Sequence, residues 1–384
     1  MTTSPRPAPR RLPIPLVDLR PQHDRVAVDV RRAIAAVLDS GAFVLGPAVS
    51  RFEEEYAAFC GTAHCVGVGN GTDAIELALR AASVGPGDEV LVPANTFVAT
   101  AEGVVRAGAE LVLVDCDEDL MIDVDAVAAR VGPRTRAVVG VDLYGQAAPL
   151  ERLRAAVGPD VVLLEDAAQS QGATRHGRVA GSLGDIATTS FYPGKNLGAF
   201  GDAGAVTTDR EDLAHRVRQL RNHGGVERYR HELVGTNSRL DSVQAAVLST
   251  KLAHLKDWNA ARATAAARYA ELLGGVEEVR LPRVLPGNAH VWHLYVVRVP
   301  DRDRVLAELT ESGIGAGLHY PTPVHLLPAF ASLGLGPGSF LCAERTAGEI
   351  LSLPMFPGIT AGQQRRVAET LASAVSRRPD GART

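Results

Sequence analysis

Between residues 65 and 166 the chain repeats one pattern: a short apolar run that stops at polar residues, a loop, and a segment with apolar residues at helical spacing. "CVGVGNGTDAIELALRAA" reads as strand, glycine turn and helix, and "DEVLVPANTFVATAEGVVRAG" as strand, loop and helix. "ELVLVDCD", "RAVVGVDLYG" and "DVVLLEDAAQ" are further runs of this kind, with helix-like "PLERLRAAV" between the last two. Short runs that stay apolar on both faces, alternating with amphipathic helices, predict a mainly parallel sheet covered on each side. Such a sheet gathers the carboxyl ends of its strands along one edge, where ligands bind. At those ends stand Gly71 and Thr72, Asn95 to Phe97, Tyr144 and Gly145, Asp166 and Gln169, and the loop from Ser190 to Lys195.

From about Val26 to Phe59 the pattern is helical, and "VAVDVRRAIAAVLDSG" closes on a glycine stop. A long helical pattern runs from about Asp241 to Leu273, and after it the texture changes. "HVWHLYVVRV" and "RDRVLAELTESG" predict a smaller α+β domain. The expected division is therefore a leader and arm over 1–25, a large domain over 26–255 that ends within the long helix, and a small domain over 256–384. The opening "MTTSPRPAPRRLPIPLVDLRPQH" is rich in Pro and Arg and has no apolar signal core. It predicts a flexible leader followed by an ordered arm in a cytoplasmic protein. The tail "SRRPDGART" is predicted to be disordered.

A net charge of −4 argues against nucleic acid as the partner. No apolar run reaches the roughly 18 residues needed to span a bilayer. Of the cysteines Cys60, Cys65, Cys116 and Cys342, only the first two are close in sequence. No second Cys or His pair completes a zinc pattern, so these are expected to be small buried hydrophobes.

Three features at the strand ends carry chemistry. The turn in "VGVGNGTDAIELAL" opens a helix whose free N–H groups and dipole suit an anion. A dinucleotide fingerprint needs glycines at its first, third and sixth positions, whereas Gly67 and Gly69 are followed by Thr72. A single phosphate fits better, and a bare strand-to-helix turn is the structural alternative. Glu165 and Asp166 close an apolar strand, where a carboxylate is costly to bury without a cation. Asp166 either caps the following helix or faces a protonated ring nitrogen, with Gln169 one turn on. Lys195 lies in "TTSFYPGKNLGAFGDAGAV" among small, aromatic and glycine residues, between two strand-like runs. Shielded there, its pKa falls and the amine becomes a nucleophile able to form a Schiff base. The alternative is a structural lysine that snorkels to the surface. One cofactor unites the three: pyridoxal 5′-phosphate has an aldehyde for Lys195, a phosphate for Gly71 and Thr72, and a pyridine nitrogen for Asp166, and Phe97 can stack on its ring.

The blocks "GNGTDAIELAL", "PANTFVATA", "VDLYGQAAPLERL", "LLEDAAQSQGA", "SFYPGKNLGAFGDAGAV", "GTNSRLDSVQAAVL" and "HYPTPVH" occur in one order along nearly the whole chain. In these blocks the sequence resembles the sugar aminotransferases of the DegT/DnrJ/EryC1/StrS family. The resemblance implies an α/β fold of the fold-type I, aspartate aminotransferase-like class: a mainly parallel large domain and a smaller α+β C-terminal domain. It also implies a homodimer with shared active sites. By resemblance Lys195 is the Schiff-base lysine, Asp166 pairs with the pyridine nitrogen, and Gln169 contacts the ring hydroxyl. Gly71, Thr72 and Ser190 hold the phosphate, Phe97 stacks on the ring, and Asn237 reaches the phosphate of the neighbouring subunit. Tyr192, His319 and Tyr320 match positions that line a sugar pocket. Relatives with histidine in place of the lysine are dehydratases, and this chain keeps Lys195.

"GNGTDA", "FYPGKNLGA" and "NSRLDSVQAA" look most like the subgroup acting on nucleotide-linked 3-keto-6-deoxyhexoses, with glutamate as amino donor. The expectation is a cytoplasmic transaminase that makes a 3-amino sugar from such a substrate, dTDP-linked, with an amino acid as donor and no nucleic acid or membrane partner. The alternatives are amination at C4, a cyclitol ketone as acceptor, or a non-catalytic regulator on the same scaffold. Retention of both Lys195 and Asp166 speaks against the last.

Overall fold

The computed structural model describes residues 12–377, so the expected leader up to residue 11 and the end of the tail lie outside the described residues. The N-terminal helical stretch divides into α1 (Arg20–Ser40) and α2 (Pro47–Cys60), because Gly41 adopts a left-handed conformation that ends α1. Helix α1 starts ahead of the pattern read from Val26, with a proline in its first turn. Alternation then follows as read: β1 (His64–Val68), α3 (Gly71–Ala81), β2 (Glu89–Pro93), α4 (Val98–Ala107), β3 (Glu110–Val114), α5 (Val124–Arg130), β4 (Thr135–Val141), α6 (Leu150–Val157) and β5 (Val162–Asp166). A short ribbon, β6 (Thr174–Arg175) and β7 (Arg178–Val179), precedes β8 (Ile186–Ser190), β9 (Gly204–Thr208) and α7 (Glu211–Leu220).

Seven strands form one sheet in the order β1-β9-β8-β5-β4-β2-β3. The pairs from β3 to β8 are parallel, while β9 runs antiparallel to both β8 and β1. Register brings Val141 beside Asp166, Asp166 beside Thr188, and Ser190 beside Gly204, which also pairs with Val68. The strand ends that carry polar residues therefore meet along one edge. Helices α3, α4 and α7 cover one face of the sheet through Leu77, Val104 and Val217, and α5 and α6 cover the other through Val127 and Leu153.

Helix α8 (Ser242–Leu273) runs past both halves of the molecule. Its first half packs with Phe52, Tyr56 and Phe191, and its last turns pack into a separate core with β11 (Tyr295–Arg298), β12 (Ile350–Leu353), α9 (Arg302–Glu311) and α11 (Ala361–Ser376). The cores change between Leu255 and Ala265. Strand β10 (Asn288–Ala289) joins the ribbon, and α10 (Leu341–Ala347) precedes β12. The segment before α1 belongs to this second core, where Ile14 is buried and bridges to Ile314. No helix among the described residues is long and apolar enough to cross a membrane. Cys60, Cys65 and Cys116 are buried, whereas Cys342 is half-buried and its thiol donates to the Asp117 carbonyl at 3.3 Å.

Where α3 begins, β9 leaves no room for a side chain. A Cβ on Gly204 would lie 2.5 Å from the carbonyl carbon and oxygen of Asn70. Gly204→Ala should lower stability by about 1–3 kcal/mol in urea unfolding, and displacement of the first turn of α3 should weaken cofactor retention. A wild-type unfolding curve would show that this contact relaxes freely.

Candidate active site

Alternation along β5 sends its two closing carboxylates to opposite faces. Glu165 accepts from the amides of Gly181 and Leu183, each at 2.8 Å, and is fully buried away from the strand-end edge. Asp166 is 5% exposed and faces that edge. Its Oδ2 accepts from the Thr100 hydroxyl at 2.8 Å and its Oδ1 from the Ala168 amide at 3.2 Å. Thr100 in turn pairs with Thr96 at 2.8 Å. Burial pushes the Asp166 pKa up, while these two donors and the charge on Lys195 oppose the rise. Besides the Ala168 amide, which gives it some capping character, the carboxylate holds lone pairs toward the cavity. A buried carboxylate so placed is best matched by a cation.

Lys195 sits on a tight loop between β8 and β9. Its amide donates to the Tyr192 carbonyl and the Ala199 amide to the Phe191 carbonyl, both at 2.8 Å. A Cβ on Gly198 would stand 2.3 Å from the Pro193 oxygen, so the turn requires glycine. Buried Lys251 of α8 braces it from below, with Nζ 2.5 Å from the Gly198 carbonyl. The Lys195 amine opens onto the cavity but is crowded by protein. Loss of solvation lowers its pKa to about 8, against the opposing pull of Asp166. Near neutral pH an appreciable share of the amine is therefore uncharged and nucleophilic.

Helix α3 points its N-terminus into the same space. Asn70 caps it by accepting from the Asp73 amide at 2.8 Å, and the amides of the first turn have no partner within the helix. A Cβ on Gly71 would stand 2.6 Å from the Ser190 Cβ, so only glycine lets the Ser190 hydroxyl approach that turn. Gln169 accepts from the Tyr144 amide at 2.7 Å and donates to the Tyr320 hydroxyl at 3.0 Å. The Tyr144 hydroxyl donates to the His319 carbonyl, which ties this wall to the second core. The rings of Phe97 and Tyr320 lie 5.0 Å apart at 34°.

One cavity of about 440 Å³ is lined by Gly71, Thr72, Phe97, Asp166, Gln169, Ser190, Tyr192, Lys195, His319 and Tyr320. Asn237 does not line it; it is exposed, and its backbone bridges to Asn222. A larger recess of about 530 Å³ shares Leu143 and Leu294 with this cavity. There Arg280 and Arg298 engage Glu118, and Arg283 engages Asp119, so these charged groups are paired with one another. Thr100 and His293 are polar cavity residues that the sequence did not point to. Thr100 follows Thr96 by one helical turn, a spacing that points both hydroxyls the same way. His293 has no local signal, because it arrives from the chain after α8. The donor set fits pyridoxal 5′-phosphate: an amine of lowered pKa, a buried carboxylate for a ring N–H, and a helix N-terminus with a hydroxyl beside it for phosphate.

A model of the DegT/DnrJ/EryC1/StrS aminotransferase family matches residues 25–372, and the chain belongs to that family. It is 47% identical over 360 residues, 93% of this chain and 98% of the relative, to the erythromycin biosynthesis sensory transduction protein EryC1 of Saccharopolyspora erythraea. It is 45% identical over 360 residues to the dTDP-3-amino-3,4,6-trideoxy-alpha-D-glucose transaminase of Streptomyces venezuelae, covering 93% of this chain and 95% of that one. The crystal structure of S. venezuelae DesV in complex with a ketimine intermediate superposes with a TM-score of 0.93 at 44% identity, over 96% of this chain and 100% of the other. The chain is thus an aminotransferase of the fold-type I class, with pyridoxal 5′-phosphate as cofactor.

Lys195 and Asp166 are separable by experiment. Cofactor capture by the apo-protein should accelerate between about pH 7 and about pH 9 and then level off, because only the neutral amine attacks a carbonyl. A midpoint at the ordinary lysine value of 10.5 would contradict the lowered pKa. Asp166→Ala should still capture cofactor on Lys195, as borohydride trapping reads, yet lose about 10²- to 10³-fold in turnover. Near-normal turnover would reduce Asp166 to a helix cap.

Proposed function

We propose that the enzyme transfers an amino group from L-glutamate to C3 of a dTDP-linked 3-keto-6-deoxyhexose, producing a 3-amino sugar in the cytoplasm. The 45% identity to a dTDP-3-amino-trideoxyglucose transaminase over nearly the full length of both chains carries this reading. The cavity is compatible with it, having Lys195 on one wall and the polar rings of Tyr192, His319 and Tyr320 on others.

When bound, pyridoxal 5′-phosphate supplies an electron sink for the breaking Cα–H bond of the amino donor. The chain's own residues do the rest. In the proposed roles Asp166 keeps the ring nitrogen protonated, and Gly71, Thr72 and Ser190 anchor the phosphate. Lys195 Nζ would take a proton from Cα of the donor and deliver it to the carbon across the transferred nitrogen, two bonds away. A pKa of about 8 suits it to both directions of that transfer, a contribution of about 10²–10⁴ in rate. The second half-reaction reverses these steps on the keto sugar.

The active form is proposed to be a homodimer. Exposed Asn237, outside its own chain's cavity, then reaches the phosphate of the neighbouring site. A two-fold interface presents the same surface from both subunits, so each chain would complete the other's site.

With a panel of nucleotide-linked keto sugars and glutamate, product NMR should place the new amine at C3 of the dTDP-linked substrate. Exclusive amination at C4, or turnover of a free cyclitol ketone, would reject the assignment. Lys195→Ala mixed with Asn237→Asp tests the shared site. After random subunit exchange half the dimers are mixed and hold one intact site, so activity should recover to about a quarter of wild type. No recovery, with exchange confirmed, would mean that Asn237 serves its own chain.

A further inference from the structure

His293 lines the cavity and lies close enough to Lys195 for the lysine charge to act on it. Two anchors from α8 and the lysine loop hold it. Arg262, fully buried in α8, donates to the carbonyls of Trp292 at 3.1 Å and His293 at 3.3 Å and so fixes the backbone. The ring is fixed by Asn196, the residue after Lys195, whose Oδ1 stands 3.2 Å from His293 Nδ1.

The orientation of that amide is not arbitrary. Asn196 Nδ2 donates to the Val291 carbonyl at 3.0 Å and to Asn259 Oδ1 at 2.9 Å. Asn259 Nδ2 donates in turn to the Gln171 carbonyl at 2.9 Å. Both side-chain amides are thus held by backbone carbonyls, which can only accept. Flipping either would set oxygen against oxygen. Asn196 Oδ1 must therefore face the ring, and His293 Nδ1 must carry the hydrogen it accepts.

A neutral imidazole has one N–H and one bare nitrogen. Burial first, and then the charges of Lys195 and Arg262 and the neighbouring His319 and His290, keep His293 uncharged, its pKa well below the ordinary value. Nε2 is then the bare nitrogen. It has no hydrogen-bond partner among the described residues, and it is not among the polar atoms enclosed without one. It belongs to a residue that lines the same cavity as Lys195, whose charge lies close enough to act on the ring.

We propose that His293 is a positioning residue for Lys195: locked as the Nδ1–H tautomer by Asn196, it offers Nε2 as the acceptor that holds the lysine amine whenever that amine is free of the cofactor. The lysine has several rotatable bonds, and in this structure its amine makes no hydrogen bond with a described residue. An acceptor set by the residue next to it limits where the amine waits between taking a proton and returning it. The same amide chain reaches Gln171, which donates to the Ser190 carbonyl at 2.9 Å. His293, Lys195 and the phosphate end of the site are therefore held in one frame.

The inference rests on Lys195 being the reactive amine. Borohydride trapping on a different lysine would remove that premise, whereas the following measurements judge the histidine by itself. In enzyme loaded with pyridoxamine 5′-phosphate, where Lys195 is free, ¹⁵N NMR of labelled histidine should show His293 with a protonated Nδ1 and a bare Nε2, and no titration between about pH 6 and 8. A protonated Nε2, or conversion to the cation in that range, would overturn the proposal. Lysine NMR in the same form should show the Lys195 pKa lowered by about one unit in His293→Phe, since an acceptor stabilises the ammonium. His293→Gln, which keeps an acceptor near the position of Nε2, should restore it. Equal lowering in both variants, or none in His293→Phe, would show that the ring only fills space.

Discussion

The carboxylate of Asp166 is the constraint on which the site depends. It lies at the end of the parallel strand β5, nearly out of contact with solvent, and the protein contacts that satisfy it are neutral donors. A buried charge without an opposite charge is unstable. In the proposed reading a cation on the cavity side completes the arrangement, and the protonated nitrogen of a pyridine ring supplies it. Given that ring, the other placements follow. In that reading the phosphate lies at the N-terminus of α3 and the aldehyde meets Lys195. Thr100 matters because it donates to that carboxylate from the neighbouring helix.

Lys195 illustrates how a fold tunes one amine. Nothing about lysine as a residue type gives a pKa of about 8. A loop braced by Gly198 and Lys251 removes water from the amine, and Asp166 opposes the shift without cancelling it. The amine that results is cationic enough to deliver a proton and free enough to attack a carbonyl. His293 adds a second control in the proposed reading, acting on where the amine rests.

Much of this was legible in the chain itself. Short apolar runs alternating with helical segments have one stable solution, a parallel sheet between helix layers, because strands apolar on both faces must be covered on both. That solution assembles Gly71, Phe97, Asp166 and Lys195, although more than a hundred residues separate the first from the last. The dipole of α3 and the lone lysine were readable for the same reason: each is a local feature whose chemistry needs few neighbours. Even the break between the helices near Gly41 has a local cause, although its position relative to Val26 does not.

Only the folded chain decided the contacts that cross between segments. Glu165 and Asp166 are adjacent in sequence and equivalent by type. The pleat of β5 alone sends one toward amides of the Gly181 turn and the other toward the cavity. His293 belongs to the chain after α8 and gives no sign in sequence of its place near Lys195, since that place depends on Asn196, itself held by Asn259, and on Arg262 meeting it from other elements. Composition and periodicity record what each residue does alone. Protonation states and hydrogen-bond direction belong to groups of residues, and those exist only once the chain has closed on itself.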